Sequence, residues 1–272
     1  MRSIQLVIFL FFISTTLSAQ HLKKTGIVII GNIHDSLPNY HPQILFNILD
    51  DVKPDIILHE VDAAMAKDYF ANPSVKGNEI VASNRYVKKY PGTKRLPFDF
   101  EGRNDYRKEK GMVPADNLSV KLIDSLYKQD LLTKEEKDIY EQYKEVTATL
   151  MRLAEKSPEN FNNPVTDSIC KRRQDIQHHG LLKIINNRPE FATHTFSKPD
   201  GTPITYREGY RLWAGFWDTR NQAMAKHIFQ YARQYQGKNM VVLTGFLHRY
   251  YLIKALNQLS DGSFVLREFY QH

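Results

Sequence analysis

Residues Ile27 to Val61 read IVIIGNIHDSLPNYHPQILFNILDDVKPDIILHEV, and this stretch decides the fold class. The run IVII is short, branched and apolar, and it ends at Gly31, so it reads as a strand. Ile44, Leu45, Ile48, Leu49 and Val52 then recur at helical spacing until Lys53-Pro54 stops them. DIILHEV, Asp55 to Val61, is a second strand. Strand, helix and strand in that order form a β-α-β unit, whose two strands run parallel.

Three further segments carry the same signature: Arg95 to Phe100 (RLPFDF), Met240 to Thr244 (MVVLT) and Ser263 to Phe269 (SFVLREF). Several of these runs are apolar on both faces, the pattern of strands covered by helices on each side of a sheet. Between them, residues 119 to 236 are dominated by helix. Thr133 with Glu136 forms a capping box that opens a helix to about Lys156, a second helix spans about Asp167 to Asn186, and Arg207 to Gln236 reads as one long or kinked helix. Lys198 to Pro203 (KPDGTP) is a turn by composition. The sequence therefore predicts an α/β fold: a mostly parallel central sheet flanked by helices, with residues 20–272 as one domain and a helical insertion at about 119–206 before the last strands.

Composition narrows the function classes. A chain of 272 residues with 42% hydrophobic and 25% charged residues is ordinary globular protein. It buries roughly 70 to 75% of its unfolded surface and needs no covalent staple. The single cysteine, Cys170, excludes an intramolecular disulfide, an iron-sulfur cluster and a cysteine-cluster zinc site. The net charge of +7 is interleaved with acids, as in Lys134-Glu135-Glu136-Lys137, so a nucleic-acid partner is not expected. Arg2, the apolar run Leu6 to Ile13 and the small residues of Leu17-Ser18-Ala19 read as a signal peptide over residues 1–19. The apolar run is too short to span a bilayer, which takes about 20 residues. The expectation is an exported protein, periplasmic or secreted, with no stable membrane anchor.

Chemistry concentrates at the strand ends. The first strand runs into Gly31-Asn32-Ile33-His34 and the fourth into Gly245-Phe246-Leu247-His248. In a parallel sheet the crevice beyond the carboxyl ends of the strands binds ligands, so two histidines delivered by the same turn are expected within roughly 10 Å of each other. The second strand brings Glu60 to the same edge, and an unpaired carboxylate in an apolar strand demands a partner. Alternation turns His59 to the opposite face, as a structural residue. Asp99 either joins the layer or caps a loop. A lone G-x-x-H turn is more often an ordinary loop histidine; it is the pair that points to a site. His178-His179 reads as a helix carboxyl-terminal cap, and Cys170 is not a credible nucleophile.

Two histidines and one carboxylate, His34, Glu60 and His248, are a familiar ligand set for a divalent metal such as manganese, cobalt or zinc with an open position for water. The same groups can instead act without metal, a histidine taking the proton from water and the carboxylate orienting the ring. Arg220 offers a fork of donors to a substrate carboxylate or an oxyanion; its structural alternative is a salt bridge to an acid nearby.

These elements resemble the TraB/PrgY/GumN, TIKI, ChaN and erythromycin-esterase-like superfamily. The resemblance rests on G-x-x-H after the first strand, a strand ending in glutamate, Trp217-Asp218-Thr219-Arg220-Asn221-Gln222-Ala223-Met224-Ala225 on a helix, and the late VVLTGFLH. It covers Ile27 to Asp62 and Trp217 to about Leu256. It implies a hydrolase in which His34, Glu60, Arg220 and His248 are the catalytic residues, acting on an ester or peptide-like bond in a small-molecule or peptide substrate. His41 with Gln43 resembles a stretch of the ChaN branch and is a weaker site candidate. That branch also implies the alternative, a non-catalytic protein that binds haem or iron. Asn32 departs from the pattern, since the esterase and ChaN branches carry glutamate there and the TraB and TIKI branches threonine; it leaves the branch, and the substrate, open.

Overall fold

The structure is a computed structural model that describes residues 23–271, so the signal segment at 1–19 lies outside the described residues. Five strands form one sheet: β1 (Thr25–Asn32), β2 (Ile56–His59), β3 (Lys94–Pro97), β6 (Asn239–Gly245) and β7 (Phe264–Arg267). Their order is β3-β2-β6-β1-β7, and every pair is parallel. All five coincide with the strands read from sequence. The remaining two, β4 (Thr195–Ser197) and β5 (Pro203–Thr205), pair as a small antiparallel hairpin around the Lys198 to Pro203 turn.

Side chains alternate between two apolar layers. Ile27, Ile29, Ile56, Leu58, Met240 and Val242 pack on Met224, Ala225 and Ile228 of the helix Tyr206–Gln234 and on Leu252 and Leu256 of the helix Phe246–Leu259. Val28, Ile30, Ile57, Val241 and Leu243 face the other way, onto Leu45, Ile48 and Leu49 of the helix Pro42–Val52 and Ala82 and Tyr86 of the helix Asn78–Lys89. Each such buried side chain contributes about 1.5 to 3 kcal/mol, so the two layers fix the sheet and the direction of its strand ends.

The helical middle has its own core. Ile123, Leu126, Tyr140, Leu181 and Ile184 gather around Tyr210 and Ala214, at the start of Tyr206–Gln234. That 29-residue helix thus packs on the insertion with its first turns and on the sheet with its last. Thr133 and Glu136 form the expected capping box of Lys134–Ala154. The stretch expected as one helix from Asp167 to Asn186 is Pro164–Asp175, a five-residue π-helical turn at Ile176–Gly180, then Leu181–Asn187. Among the described residues no helix is long and apolar enough to cross a membrane.

Candidate active site at the carboxyl edge of the sheet

β1 and β6 are neighbours and end in register, Gly31 opposite Thr244 and Asn32 opposite Gly245. The two glycine turns are therefore side by side. Gly31 admits no side chain, since a Cβ there would stand 2.7 Å from the Phe246 Cα. Its N–H donates to Asn162 Oδ1 at 2.6 Å and its carbonyl accepts from Asn162 Nδ2 at 3.0 Å. A loop of the helical middle thus pins the turn that launches His34.

The three expected groups converge on Gly245. A Cβ placed on this glycine would lie 3.4 Å from His34 Nε2, 3.7 Å from His248 Cδ2 and 3.8 Å from Glu60 Oε2. No two of these atoms can be farther apart than twice the longest of those distances. The crevice beside them has a volume of about 430 Å³ and is bordered by His34, Glu60, Tyr69, Lys76 and Glu79.

Glu60 is held from several sides. It accepts from Thr244 Oγ1 at 2.7 Å, from the Gly245 N–H at 2.8 Å and from Arg220 Nη2 at 2.5 Å. Burial pushes its carboxyl upward, but the neighbouring His248, Arg220 and these donors outweigh burial and hold it well below the usual carboxylate range. Arg220 divides its fork: Nε and Nη2 each donate to Asp99 at 2.8 Å, and Nη1 donates to His248 Nε2 at 3.1 Å. Asp99 is 1% exposed, and Arg103 reaches it at 3.0 Å. Asp99 thus joins the layer as the second carboxylate on Arg220, and Arg220, only 12% exposed, is a hub joining the residues that follow β2, β3 and β6.

The two histidines sit in opposite environments. His248 stacks on Trp217 with ring centroids 4.4 Å apart, and its Nδ1 meets Asn221 Oδ1 at 2.8 Å. That acceptor places the proton on Nδ1, so the Nε2 lone pair faces Arg220. Burial, helped by the adjacent Arg220 charge, overcomes the pull of Glu60 and Asp99 and pushes the His248 pKa down to about 4. His34 is the reverse. Its ring is largely exposed, Nδ1 lies 2.7 Å from Glu79 Oε1, and Nε2 faces the Gly245 turn. The hydrogen bond that His34 Nδ1 donates to Glu79 outweighs burial, and with the charges of Glu79, Glu60 and Asp35 it raises the His34 pKa to about 9.

Glu79 is the residue that sequence reading missed. It lies in the first turn of Asn78–Lys89, and the preceding Asn78 donates to the carbonyls of Ile33 at 2.7 Å and Asp35 at 3.0 Å. One helix start therefore clamps the His34 loop and orients its ring, and no motif in the sequence marks it. His59 packs edge-on against Tyr69 and Phe70, but it borders the same crevice as Glu60 and is not turned away from it. His41 does not join the crevice; its ring caps the helix Pro42–Val52 by accepting from the Gln43 N–H at 3.3 Å. Cys170 is fully buried and burial pushes its thiol up to about 12, which leaves no thiolate near neutrality.

The donor set gives a direct test of the metal expectation. Among the described residues no group of three or more His, Cys, Asp or Glu side chains is placed to hold a metal ion. Glu60 spends its oxygens on Arg220, Thr244 and Gly245, and His248 Nε2 meets the same guanidinium, so these donors face a fixed organic cation in this arrangement. The arrangement does not fit an ion shared by His34, Glu60 and His248, and no step is derived through one. Compared with known proteins, the chain matches no family model, no curated protein and no solved structure.

Proposed function

We propose that the protein is an exported hydrolase that cleaves an ester or peptide-like bond with an activated water, in the manner the superfamily resemblance implies. The observation that carries this reading is the His34–Glu79 pair, whose imidazole Nε2 faces the Gly245 turn, where Glu60 and His248 also arrive. In its neutral form His34 keeps the proton on Nδ1, toward Glu79, and takes the proton of water at Nε2. The resulting hydroxide adds to the carbonyl carbon, and the imidazolium returns the proton to the leaving group. Lys76, on the rim of the same crevice, supplies positive charge to the oxyanion. Glu60, Arg220, Asp99 and His248 form a rigid floor that fixes the position of the attacking water.

The test is turnover of a panel of nitrophenyl esters and aminoacyl nitroanilides by the chain beginning at residue 20, alongside His34→Ala. Hydrolysis lost in that variant, with circular dichroism unchanged, supports the reading. A wild type inert across the panel, or an undiminished variant, overturns it. Chelator treatment is expected to leave turnover unchanged; turnover lost on chelation and restored by manganese, cobalt or zinc overturns the histidine-base route. A Soret band on adding haem, without turnover, transfers the site to the haem-binding alternative.

A further inference from the structure

A second cavity, of about 490 Å³, shares no lining residue with the His34 crevice. It lies where the helix Pro164–Asp175 and the π-helical turn Ile176–Gly180 meet the helices Tyr206–Gln234 and Phe246–Leu259. Its size falls within the range of small-molecule sites, which run from about 300 to 1,000 Å³. Ala225 and Ala255, one from each long helix, leave the room that larger side chains would fill.

The walls point to a ligand of definite chemistry. Tyr250 and Tyr251 present flat apolar surface that suits a planar ring, beside a Trp217 already stacked on His178 and His248. His178 is 2% exposed and stacks on Trp217 at 5.0 Å, yet its Nδ1 has no hydrogen-bond partner among the described residues. A buried polar atom left unmatched costs about 1 to 3 kcal/mol, so His178 Nδ1 at the cavity wall marks a place where a ligand group offsets the deficit. His178 also sits inside the π-helical turn, and such turns are retained mostly at functional sites. At the mouth, Lys171 is neutralised by Asp175, whereas Lys226 and Lys254 form no ion pair among the described residues and face the single acid Asp218.

We propose that this cavity binds a small planar aromatic molecule bearing one anionic group, the ring lying against Tyr250 and Tyr251 near Trp217 and the anion between Lys226 and Lys254. The probe is 4-nitrobenzoate, read by quenching of Trp217 fluorescence in the full chain carrying Trp213→Phe, which leaves one of the two tryptophans. Saturable quenching is expected with a Kd below about 1 mM, weakened about tenfold or more in Lys226→Glu/Lys254→Glu. Both lysines are exposed, so that variant retains the fold. Neutral 4-nitrobenzyl alcohol is expected to bind at least about tenfold more weakly, and Ala255→Phe to abolish binding by filling the space. Linear, unsaturable quenching overturns the site, and equal affinity for the alcohol, or for 4-nitrobenzoate in the lysine variant, overturns the anionic class.

Discussion

Three buried histidines make the stability of this fold dependent on pH in a direction that can be worked out. His59, His178 and His248 are 1%, 2% and 7% exposed, and burial lowers their pKa values to about 3, about 3 and about 4. In the unfolded chain each binds a proton near pH 6.5, so below that value the unfolded state takes up protons that the folded state refuses. The stabilisation is complete above pH 6.5 and is lost as pH falls toward the folded values. Each group costs about 2 kcal/mol between pH 7 and pH 5, or about 6 kcal/mol for the three, against a total of about 5 to 15 kcal/mol for a domain. The carboxylates held low by ion pairs add their own loss only at more acid pH, near and below about 4.

The perturbation that isolates one third of this is His59→Phe. The ring sits edge-on to Tyr69 at 5.6 Å and Phe70 at 5.2 Å, and neither of its nitrogens has a partner among the described residues. A phenyl ring keeps the edge contacts and removes both unmatched atoms, so stability at pH 7 is expected to rise by about 1 to 3 kcal/mol. The loss between pH 7 and pH 5 is expected to shrink from about 6 to about 4 kcal/mol. Urea unfolding followed by circular dichroism at pH 5, 6, 7 and 8 measures both. A wild type whose stability is flat from pH 7 to pH 5, or a variant that loses as much as the wild type, would refute the reasoning.

Arg220→Ala removes the guanidinium partner of Glu60 and leaves Asp99 with Arg103 alone, and is expected to cost about 3 kcal/mol in urea unfolding. Arg220→Lys should recover only part of that, because one ammonium cannot reach Asp99, Glu60 and His248 together. Gly245→Ala places a methyl at the point where His34, His248 and Glu60 meet, in a backbone conformation (φ −56°) that alanine adopts freely. Thermal stability should hold while kcat/KM falls by about tenfold or more, since small misplacements at the reacting centre are costly; retained activity would move the reaction away from this point. For Glu79→Gln, a His34 base is active only when deprotonated, so wild-type kcat/KM should climb with pH until about 9 and the limb should shift downward in the variant. An unmoved limb would dissociate Glu79 from the chemistry.

The sheet was legible because buried parallel strands are continuous apolar runs, and all five of them are visible in the sequence. The β4–β5 hairpin was not, because three-residue strands are too short to show alternation; only its turn has a signature. The π-helical turn at Ile176–Gly180 has no local signal either, so His178 reads as a helix cap in the sequence and proves to be a buried ring stacked on Trp213 and Trp217. At the crevice, the glycine turns announced His34 and His248, and the carboxylate stranded in an apolar strand announced Glu60. Glu79 reaches His34 across 45 residues of chain from the start of another helix, a juxtaposition that only the packing of Asn78–Lys89 on the sheet creates.

Asn32, which follows the first glycine turn, has a physical role in this fold. It is 1% exposed, its Nδ2 donates to the carbonyls of Ile30 at 3.0 Å and Thr244 at 3.2 Å, and its Oδ1 accepts from the Tyr40 hydroxyl. An amide is the one side-chain group that both donates twice and accepts here. A glutamate would bring a carboxylate against two carbonyls, and a threonine has a single hydroxyl proton for them. Since the Thr244 carbonyl belongs to β6 and Asn32 to β1, the amide ties together the two strand ends from which His34 and His248 leave. The same Thr244 directs its hydroxyl to Glu60. Asn32 is therefore one step removed from all three converging groups, and it holds the candidate site together from below.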